Sequence, residues 1–190
     1  IEAKRSNLFD SIIVSSDSEE INNVAKKYGA ETVIRSKKNA SNIAHELDAC
    51  REYLFFLEKK KSKLPDYFCI IYPTAVLLKS NDFKKSYKLM KSDNNIDVVM
   101  GISEFNYHPF KALTKKRNGL LKTVFKEQVK KRSQGYQKMF ASNGTLYWHK
   151  TKSFLDKKYS GHYATNLAGY IVKSKVRMDI DYKEDLDDLN

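Results

Sequence analysis

Two aspartates near the end of the sequence, Asp179 and Asp181 in the run "MDID", have the spacing of a metal site. The run predicts the end of a strand, and residues two apart on a strand project from the same face of the sheet. Adjacent carboxylates repel each other unless a cation joins them, and Mg²⁺ commonly binds one or two carboxylates together with phosphate oxygens. The pair therefore fits a metal-bound triphosphate. The alternative is that both acids only begin a capped helix.

The acidic end of the chain contrasts with a basic body. Residues 179–190 carry six carboxylates against the single Lys183, in a chain whose net charge is +12. We interpret the four acids after Asp181 as the exposed surface of a short helix. The 35 Lys and Arg residues are scattered in short runs such as "KKKSK" at 59–63, which is typical of solvated helix ends and loops. No nucleic-acid module accompanies the charge, so nucleic-acid binding is not expected.

Two polar stretches in the second half of the chain could bind a charged ligand. "KKRSQGYQ" places Arg132 two residues before Gln134, and a guanidinium followed by an amide suits a carboxylate or a phosphate. "ASNGTLYW" places Asn143 and Gly144 directly before a predicted strand that contains Tyr147. The alternatives are a solvated loop for the first stretch and a simple turn for the second.

The composition predicts one ordered globular domain, because 41% of the 190 residues are hydrophobic and only 7 Gly and 3 Pro are present. Cys50 and Cys69 lie within apolar patterns, and neither is near a second Cys or His at ligand spacing. This favours buried, reduced thiols and a cytoplasmic location. No stretch approaches about 18 uninterrupted apolar residues, and the first residues show no export signal, so no contact with a membrane is expected.

The first strand and helix are marked by local signals. "SIIVSSD" at 11–17 predicts a buried strand, and the following residues predict a helix in which Asp17 and Glu20 form a capping box and Gly29 is the stop. The apolar face of this helix would consist of Ile21, Val24, Ala25 and Tyr28.

The following elements alternate between strand and helix. "ETVIR" predicts a strand, and an apolar stripe at helical spacing predicts a helix packed on a sheet. A strand at 67–75, a helix at 80–91 and a strand at 96–102 come next. This βαβαβ order predicts a mostly parallel sheet with helices on both faces and ligands at the carboxyl ends of the strands. The stripe consists of Ile43, Leu47, Cys50, Leu54 and Leu57.

Residues 103–140 interrupt the alternation with short extended pieces and basic loops, which predicts a small β-rich excursion from the sheet. The excursion is rich in aromatic residues outside the βαβ pattern, so we expect it to bury them against a second copy of the chain. Strand character returns at 145–149 and 168–172, and "VRMDID" at 176–181 predicts the last strand. The aromatic residues are Phe105, Tyr107, Phe110, Phe125, Tyr136 and Phe140.

Five short motifs, in order and spacing, resemble the acylneuraminate cytidylyltransferases, which make CMP-activated sialic-type sugars. They are "IIVSSDSEEINNVAKKYGAE", "IYPTA", "RSQ", "SNG" before "LYW", and "DIDYKEDLDDL". The resemblance covers nearly the whole chain and implies a three-layer, Rossmann-like nucleotidyltransferase fold in a single domain, residues 1–190. Tyr72 before Pro73 and the run from Arg132 to Gln134 look closer to the pseudaminic acid branch, whereas Asn143 with Gly144 looks more like the sialic acid branch.

The resemblance also implies a reaction and its residues. The anomeric hydroxyl of a nine-carbon α-keto acid sugar would attack the α-phosphate of CTP and release pyrophosphate, with Mg²⁺ as the cofactor and a homodimer as the assembly. Asp179 and Asp181 match the family's Mg²⁺-binding acids. Ser15 and Asp17 match the family's turn after one strand, and Tyr72 and Thr74 match the turn after the next. The family's sugar- and nucleotide-contacting positions correspond to Arg132, Gln134, Asn143 and Tyr147.

The chain departs from the family pattern at three places. It has no counterpart of the family's first strand and its Gly- and Arg-rich phosphate loop, so we expect an upstream segment beyond Ile1. Val76 replaces a second Pro after the Pro-Thr turn, and Tyr182 with Lys183 replaces Thr-Pro after the metal acids. These departures leave open the alternative of a non-catalytic member of the fold that binds polyanions or nucleic acid.

Overall fold

A computed structural model describes residues 1–41, 43–156, 158 and 161–173. Its central sheet has four strands in the order β3, β7, β4, β8. β1 pairs in parallel with β2, and β5 pairs antiparallel with β6, as two separate two-stranded sheets. The bounds are β1 Ile13–Ser16, β2 Glu31–Ile34, β3 Tyr67–Ile71, β4 Val98–Glu104, β5 Leu113–Lys115, β6 Leu121–Thr123, β7 Phe140–Lys150 and β8 Leu167–Ile171.

Helices cover both faces of the central sheet, as the alternation predicted. Phe83 and Met90 of α4 pack with Trp148 on one face. On the other face, Leu54 of α3 packs with Phe68 of β3, and Phe154 of α5 belongs to the same cluster. The three-layer α/β prediction is therefore confirmed. The helices are α1 Glu2–Arg5, α2 Glu19–Lys27, α3 Glu46–Lys59, α4 Ser80–Met90 and α5 Thr151–Phe154.

One central strand runs against the other three. β7 is antiparallel to both β3 and β4, while β4 is parallel to β8, so β3, β4 and β8 share one direction. The sheet is thus mostly parallel, as expected, but β3 and β4 are not neighbours because β7 lies between them. The reversal arises because residues 105–139 leave the end of β4 and return the chain beside it.

Helix α2 differs from its prediction at both its cap and its face. Ser18, not Asp17, is the N-cap, and its hydroxyl accepts a hydrogen bond from the backbone N–H of Ile21. The predicted apolar face is largely exposed, with Tyr28 61% accessible. The buried residue of the helix is instead Asn22, whose Nδ2 donates to the backbone oxygen of Ser16 at 3.1 Å. The local pattern was correct for a helix and wrong for the side that packs.

Helix α3 begins later than the apolar stripe predicted. His45 is its N-cap and has an extended backbone, so the helix starts at Glu46. Ile43 therefore lies outside the helix and is 96% exposed. Leu47 and Leu54 are buried as predicted.

The 103–140 excursion holds β5, β6 and two short 3₁₀ turns, Pro109–Lys111 and Ser133–Gly135. Phe110 contacts the rings of Phe125 and Tyr136 within the chain, with centroids 5.4 Å apart in each pair. Phe105, Tyr107 and Phe140 are exposed. Phe110, Phe125 and Tyr136 thus form a small cluster within the chain, and the expectation that the six aromatic residues pack on a second copy stays a prediction.

The predicted last strand at 176–181 and the acidic helix after it lie outside the described residues. Within residues 1–41, 43–156, 158 and 161–173, no helix is long and apolar enough to cross a membrane.

Candidate active site

Tyr72 and Tyr147 come together at the end of strand β3. Pro73 follows Tyr72 and lacks a backbone N–H, so the strand stops here. The backbone N–H of Tyr72 still donates to the carbonyl oxygen of Thr145 in β7, at 3.1 Å. This bond brings the ring of Tyr72 to 5.4 Å from the ring of Tyr147. The Tyr147 hydroxyl shares a 2.6 Å hydrogen bond with the hydroxyl of Ser142.

Three residues that the sequence did not single out support the two tyrosines. The Tyr72 hydroxyl donates to Oε1 of Glu46 at 2.9 Å, and the same oxygen lies 2.6 Å from Nε2 of His162. The His162 ring stacks on the ring of Tyr147, with centroids 3.9 Å apart. Nδ1 of His162 lies 3.1 Å from Nε2 of the buried His149. Glu46 and His162 are 116 positions apart, so no local pattern could have revealed the contact.

The protonation of this cluster follows from its burial. Burial would raise the pKa of Glu46, but hydrogen bonds from His162, from its own backbone N–H and from Tyr72 hold that pKa below its usual value. Burial lowers the pKa of His162 despite its bond with Glu46. Burial, with nearby His162 and Arg51, lowers the pKa of His149 to about 3. At neutral pH an ionised carboxylate thus contacts the neutral His162, which in turn contacts the neutral His149.

Asn143 lies inside β7, not before it as the sequence suggested. The pairing of β7 with β4 shifts between Met100 and Ile102, and Gly144 adopts a left-handed backbone with φ +66° at this irregularity. Oδ1 of Asn143 accepts from the Thr145 hydroxyl at 2.7 Å, and Nδ2 donates to the Ser103 hydroxyl at 3.1 Å. Asn143 is therefore held in a fixed orientation two residues from the carbonyl that Tyr72 binds.

Ser15 and Asp17 lie at the end of β1, where the sequence placed them, and Ser15 contacts an arginine that the sequence did not single out. Arg35 follows β2, and its Nη2 donates to the backbone oxygen of Ser15 at 2.6 Å. Its Nε donates to the Ser15 hydroxyl at 3.3 Å. Because β1 and β2 are parallel, their carboxyl ends meet, and a cation after the second strand was a readable signal. Thr74 lies in the turn after Tyr72 and is half-buried.

Arg132 and Gln134 are exposed at the 3₁₀ turn of the excursion. Among the residues that the structure describes, neither side chain has a hydrogen bond or ion pair to the tyrosine cluster. The turn itself is anchored by Tyr136, whose hydroxyl donates to the carbonyl oxygen of Lys131 at 3.0 Å. The predicted grouping of Arg132 and Gln134 with Tyr147 is therefore not formed by direct contact in the described part of one chain.

The predicted metal ligands, Asp179 and Asp181, lie outside the described residues. Within residues 1–41, 43–156, 158 and 161–173, no group of three or more His, Cys, Asp or Glu side chains could hold a metal ion. A cavity of about 490 Å³ opens beside β1 and α2, where Val14, Val24 and Tyr28 line it with Pro73. This cavity is mainly apolar and does not include the tyrosine pair.

Comparison with known proteins identifies the family of the chain. Residues 1–188 match the family described as "Cytidylyltransferase". The chain belongs to the cytidylyltransferase family and is a nucleotidyltransferase enzyme. The resemblance drawn from its motifs is confirmed.

Individual relatives agree on the class. A pseudaminic acid cytidylyltransferase of Campylobacter jejuni is 28% identical over 97% of this chain and 78% of that protein. An N-acylneuraminate cytidylyltransferase of Streptococcus agalactiae is 23% identical over 96% of this chain and 43% of that protein. A solved CMP:2-keto-3-deoxy-manno-octonic acid synthetase, complexed with CTP, has a TM-score of 0.64 over 98% of this chain and 83% of that chain. At 10% identity the last likeness shows the fold alone.

Proposed function

We propose that the protein transfers the cytidylyl group of CTP to a nonulosonic acid, giving the CMP-sugar and pyrophosphate. The observation that carries the proposal is the pairing of Tyr72 and Tyr147 at the end of β3, 5.4 Å apart, in a chain of the cytidylyltransferase family. Ligands of open α/β sheets bind at the carboxyl ends of the strands. Two aromatic rings with hydroxyls suit a sugar that presents both apolar and hydroxyl surfaces.

The proposed sugar is of the pseudaminic type. The relative that carries this name is 28% identical, compared with 23% for the relative named for N-acylneuraminate. Tyr72 before Pro73, together with the run Arg132 to Gln134, supports the same choice.

Each candidate residue has a proposed role. Ser15, positioned beside the Arg35 guanidinium, and Asp17 bind the nucleotide at the end of β1. Tyr147 and Asn143 contact the sugar. Tyr72 and Thr74 bind substrate in the turn after β3, while Arg132 and Gln134 supply charge and an amide from the excursion.

Asp179 and Asp181 are the proposed ligands of Mg²⁺. Two carboxylates are the oxygen donors that this ion prefers, so the donor chemistry fits. When bound, the ion would neutralise the negative charge of the CTP phosphates.

The test is a turnover assay on the protein in its full length. CTP, MgCl₂ and either pseudaminic acid or N-acetylneuraminic acid are supplied, and CMP-sugar and pyrophosphate are measured. We expect product with pseudaminic acid and a lower kcat/KM with N-acetylneuraminic acid. Absence of product with both sugars would refute the proposed function, and preference for N-acetylneuraminic acid would refute only the choice of sugar.

A homodimer formed through the 103–140 excursion is part of this proposal. Tyr107 is 87% exposed, and Leu120 and Leu121 are about 60% exposed on the same excursion. Light scattering at tens of micromolar should give twice the mass of one chain, which is 22.0 kDa for residues 1–190. Tyr107→Ser should weaken the dimer, whereas Tyr28→Ser, at the exposed C-cap tyrosine that follows α2, should not. A monomeric parent protein would refute the dimer.

We place the enzyme in the cytoplasm because both cysteines are free thiols. Burial raises the pKa of Cys50 to about 12 and raises the pKa of Cys69 further, so neither forms a reactive thiolate.

A further inference from the structure

We propose that Glu46 and His162 are positioning residues that fix the rings of Tyr72 and Tyr147 for sugar binding. The inference rests on the proposed function, in which both tyrosines contact substrate. It adds two residues, from α3 and from the 3₁₀ turn Gly161–Tyr163, that no sequence motif of the chain contains.

The two residues hold the two tyrosines by different means. Glu46 fixes Tyr72 through a hydrogen bond to its hydroxyl, which sets the direction in which the phenol points. His162 fixes Tyr147 through a face-to-face stack at an interplanar angle of 26°, which sets the tilt of that ring. The 2.6 Å bond between Oε1 of Glu46 and Nε2 of His162 joins the two supports. A shift of either support would therefore move both tyrosines.

Hydrogen-bond chemistry assigns one arrangement of protons to the cluster. Oε1 of Glu46 accepts from the Tyr72 hydroxyl and from Nε2–H of His162. Nδ1 of His162 then carries no proton and accepts from Nε2–H of His149. Every donor in this chain of three bonds faces an acceptor, so the arrangement needs no additional proton.

The far end of the cluster is anchored in the core. His149 is completely buried in β7 and stacks on Phe68, with centroids 5.1 Å apart. His162 is 8% exposed, whereas the side chain of Glu46 is 31% exposed. The cluster thus runs from the apolar interior to the accessible strand end where Tyr72 lies. Support of this kind reduces the freedom that a binding side chain would lose when substrate arrives.

A purely structural role does not explain the polar composition of the cluster. Burying two imidazoles and part of a carboxylate costs free energy that apolar side chains of similar volume would not incur. The carboxylate of Glu46 accepts a hydrogen bond from the Tyr72 hydroxyl beside the proposed substrate site, where the orientation of a polar group affects binding.

Kinetics with paired variants test the proposal. Glu46→Gln and Tyr72→Phe should each raise the KM for the sugar about ten-fold with little change in kcat, as expected when a binding contact is misplaced. The double variant should show less than the product of the two single effects, because Glu46 acts partly through the Tyr72 hydroxyl. Glu58→Gln, which removes an exposed carboxylate from the same helix, is the matched control and should behave as the parent. Multiplicative effects in the double variant would overturn the proposal.

Fluorine NMR of fluorotyrosine-labelled protein gives a readout that does not depend on turnover. Tyr72→Phe and Tyr147→Phe assign the two signals among the 12 tyrosines. Glu46→Gln should shift or broaden both signals, and His162→Gln, which keeps an amide donor for Glu46 but loses the ring stack, should affect Tyr147 more than Tyr72. Unchanged signals in both variants would overturn the positioning role. A parent protein without turnover would refute the proposed function, and the NMR result would still decide this inference.

Discussion

Gly101, in the middle of β4, leaves the space that the side chains of Thr145 and Asn143 occupy. A Cβ at this position would lie 2.3 Å from Oγ1 of Thr145, 2.8 Å from Oδ1 of Asn143 and 3.4 Å from Cγ2 of Val172. Ordinary contacts of this kind begin near 3.4 Å, so the Thr145 hydroxyl would have to move by about 1 Å. Gly101→Ala should therefore break the 2.7 Å hydrogen bond that orients Asn143.

The expected cost combines overpacking with the lost bond. Overpacking a core costs about 1–3 kcal/mol, and a lost hydrogen bond costs about 1 kcal/mol more. A free energy of unfolding lower by about 2–4 kcal/mol corresponds to a Tm roughly 5–15 °C lower for a chain of this size. Because Asn143 is a proposed sugar contact, the KM for the sugar should also rise.

The assay is thermal denaturation followed by circular dichroism, together with the turnover assay. Gly135→Ala is the matched control, because a Cβ there meets no atom within 4 Å, and it should melt with the parent protein. If Gly101→Ala melts within about 1 °C of Gly135→Ala, the close packing of β4 against Asn143 and Thr145 is wrong.

Three further predictions concern the candidate site. Asp179→Asn should lower the rate of CMP-sugar formation about 10²- to 10⁴-fold with little change in Tm. Asp187→Asn should change that rate little. Similar small effects on the rate at both positions would contradict the metal assignment. The pKa of His149 is lowered from 6.5 to about 3 in the folded protein. As the pH falls, the unfolded state therefore binds the extra proton first. Stability is retained above pH 6.5 and falls as the pH drops from there toward 3. Urea titrations should show a loss on the order of 5 kcal/mol across this window that is smaller in His149→Gln, and equal slopes for both proteins would refute the assignment. Arg35→Ala removes both hydrogen bonds to Ser15 and should raise the KM for CTP more than Arg35→Lys does, which steady-state kinetics can measure.

Local signals in the sequence determined the elements and the layers of the fold. The apolar run that ends at Pro73 gave β3, and the polar and apolar spacing after Lys79 gave α4, because strand and helix periodicity depend only on neighbours in the chain. The five motifs determined the family in the same way. They also placed Ser15 and Tyr72 near the carboxyl ends of β1 and β3, where the structure has them.

Only the tertiary structure decided which face of α2 packs. The sequence gives this helix an apolar stripe, but Asn22 is the residue that is buried, because its amide satisfies the carbonyl oxygen of Ser16 at the end of β1. Periodicity identifies a stripe and cannot identify the surface that receives it.

The tertiary structure also decided the direction of β7 and the partners of the tyrosines. β7 runs antiparallel because the excursion returns it beside β4, which is a property of chain path and not of the strand's own residues. This return places His149 under His162, and the packing of α3 places Glu46 beside both His162 and Tyr72. Hydrogen bonds between residues 116 positions apart leave no trace in local sequence, so the support of the site became visible only when the sheet had brought its ends together.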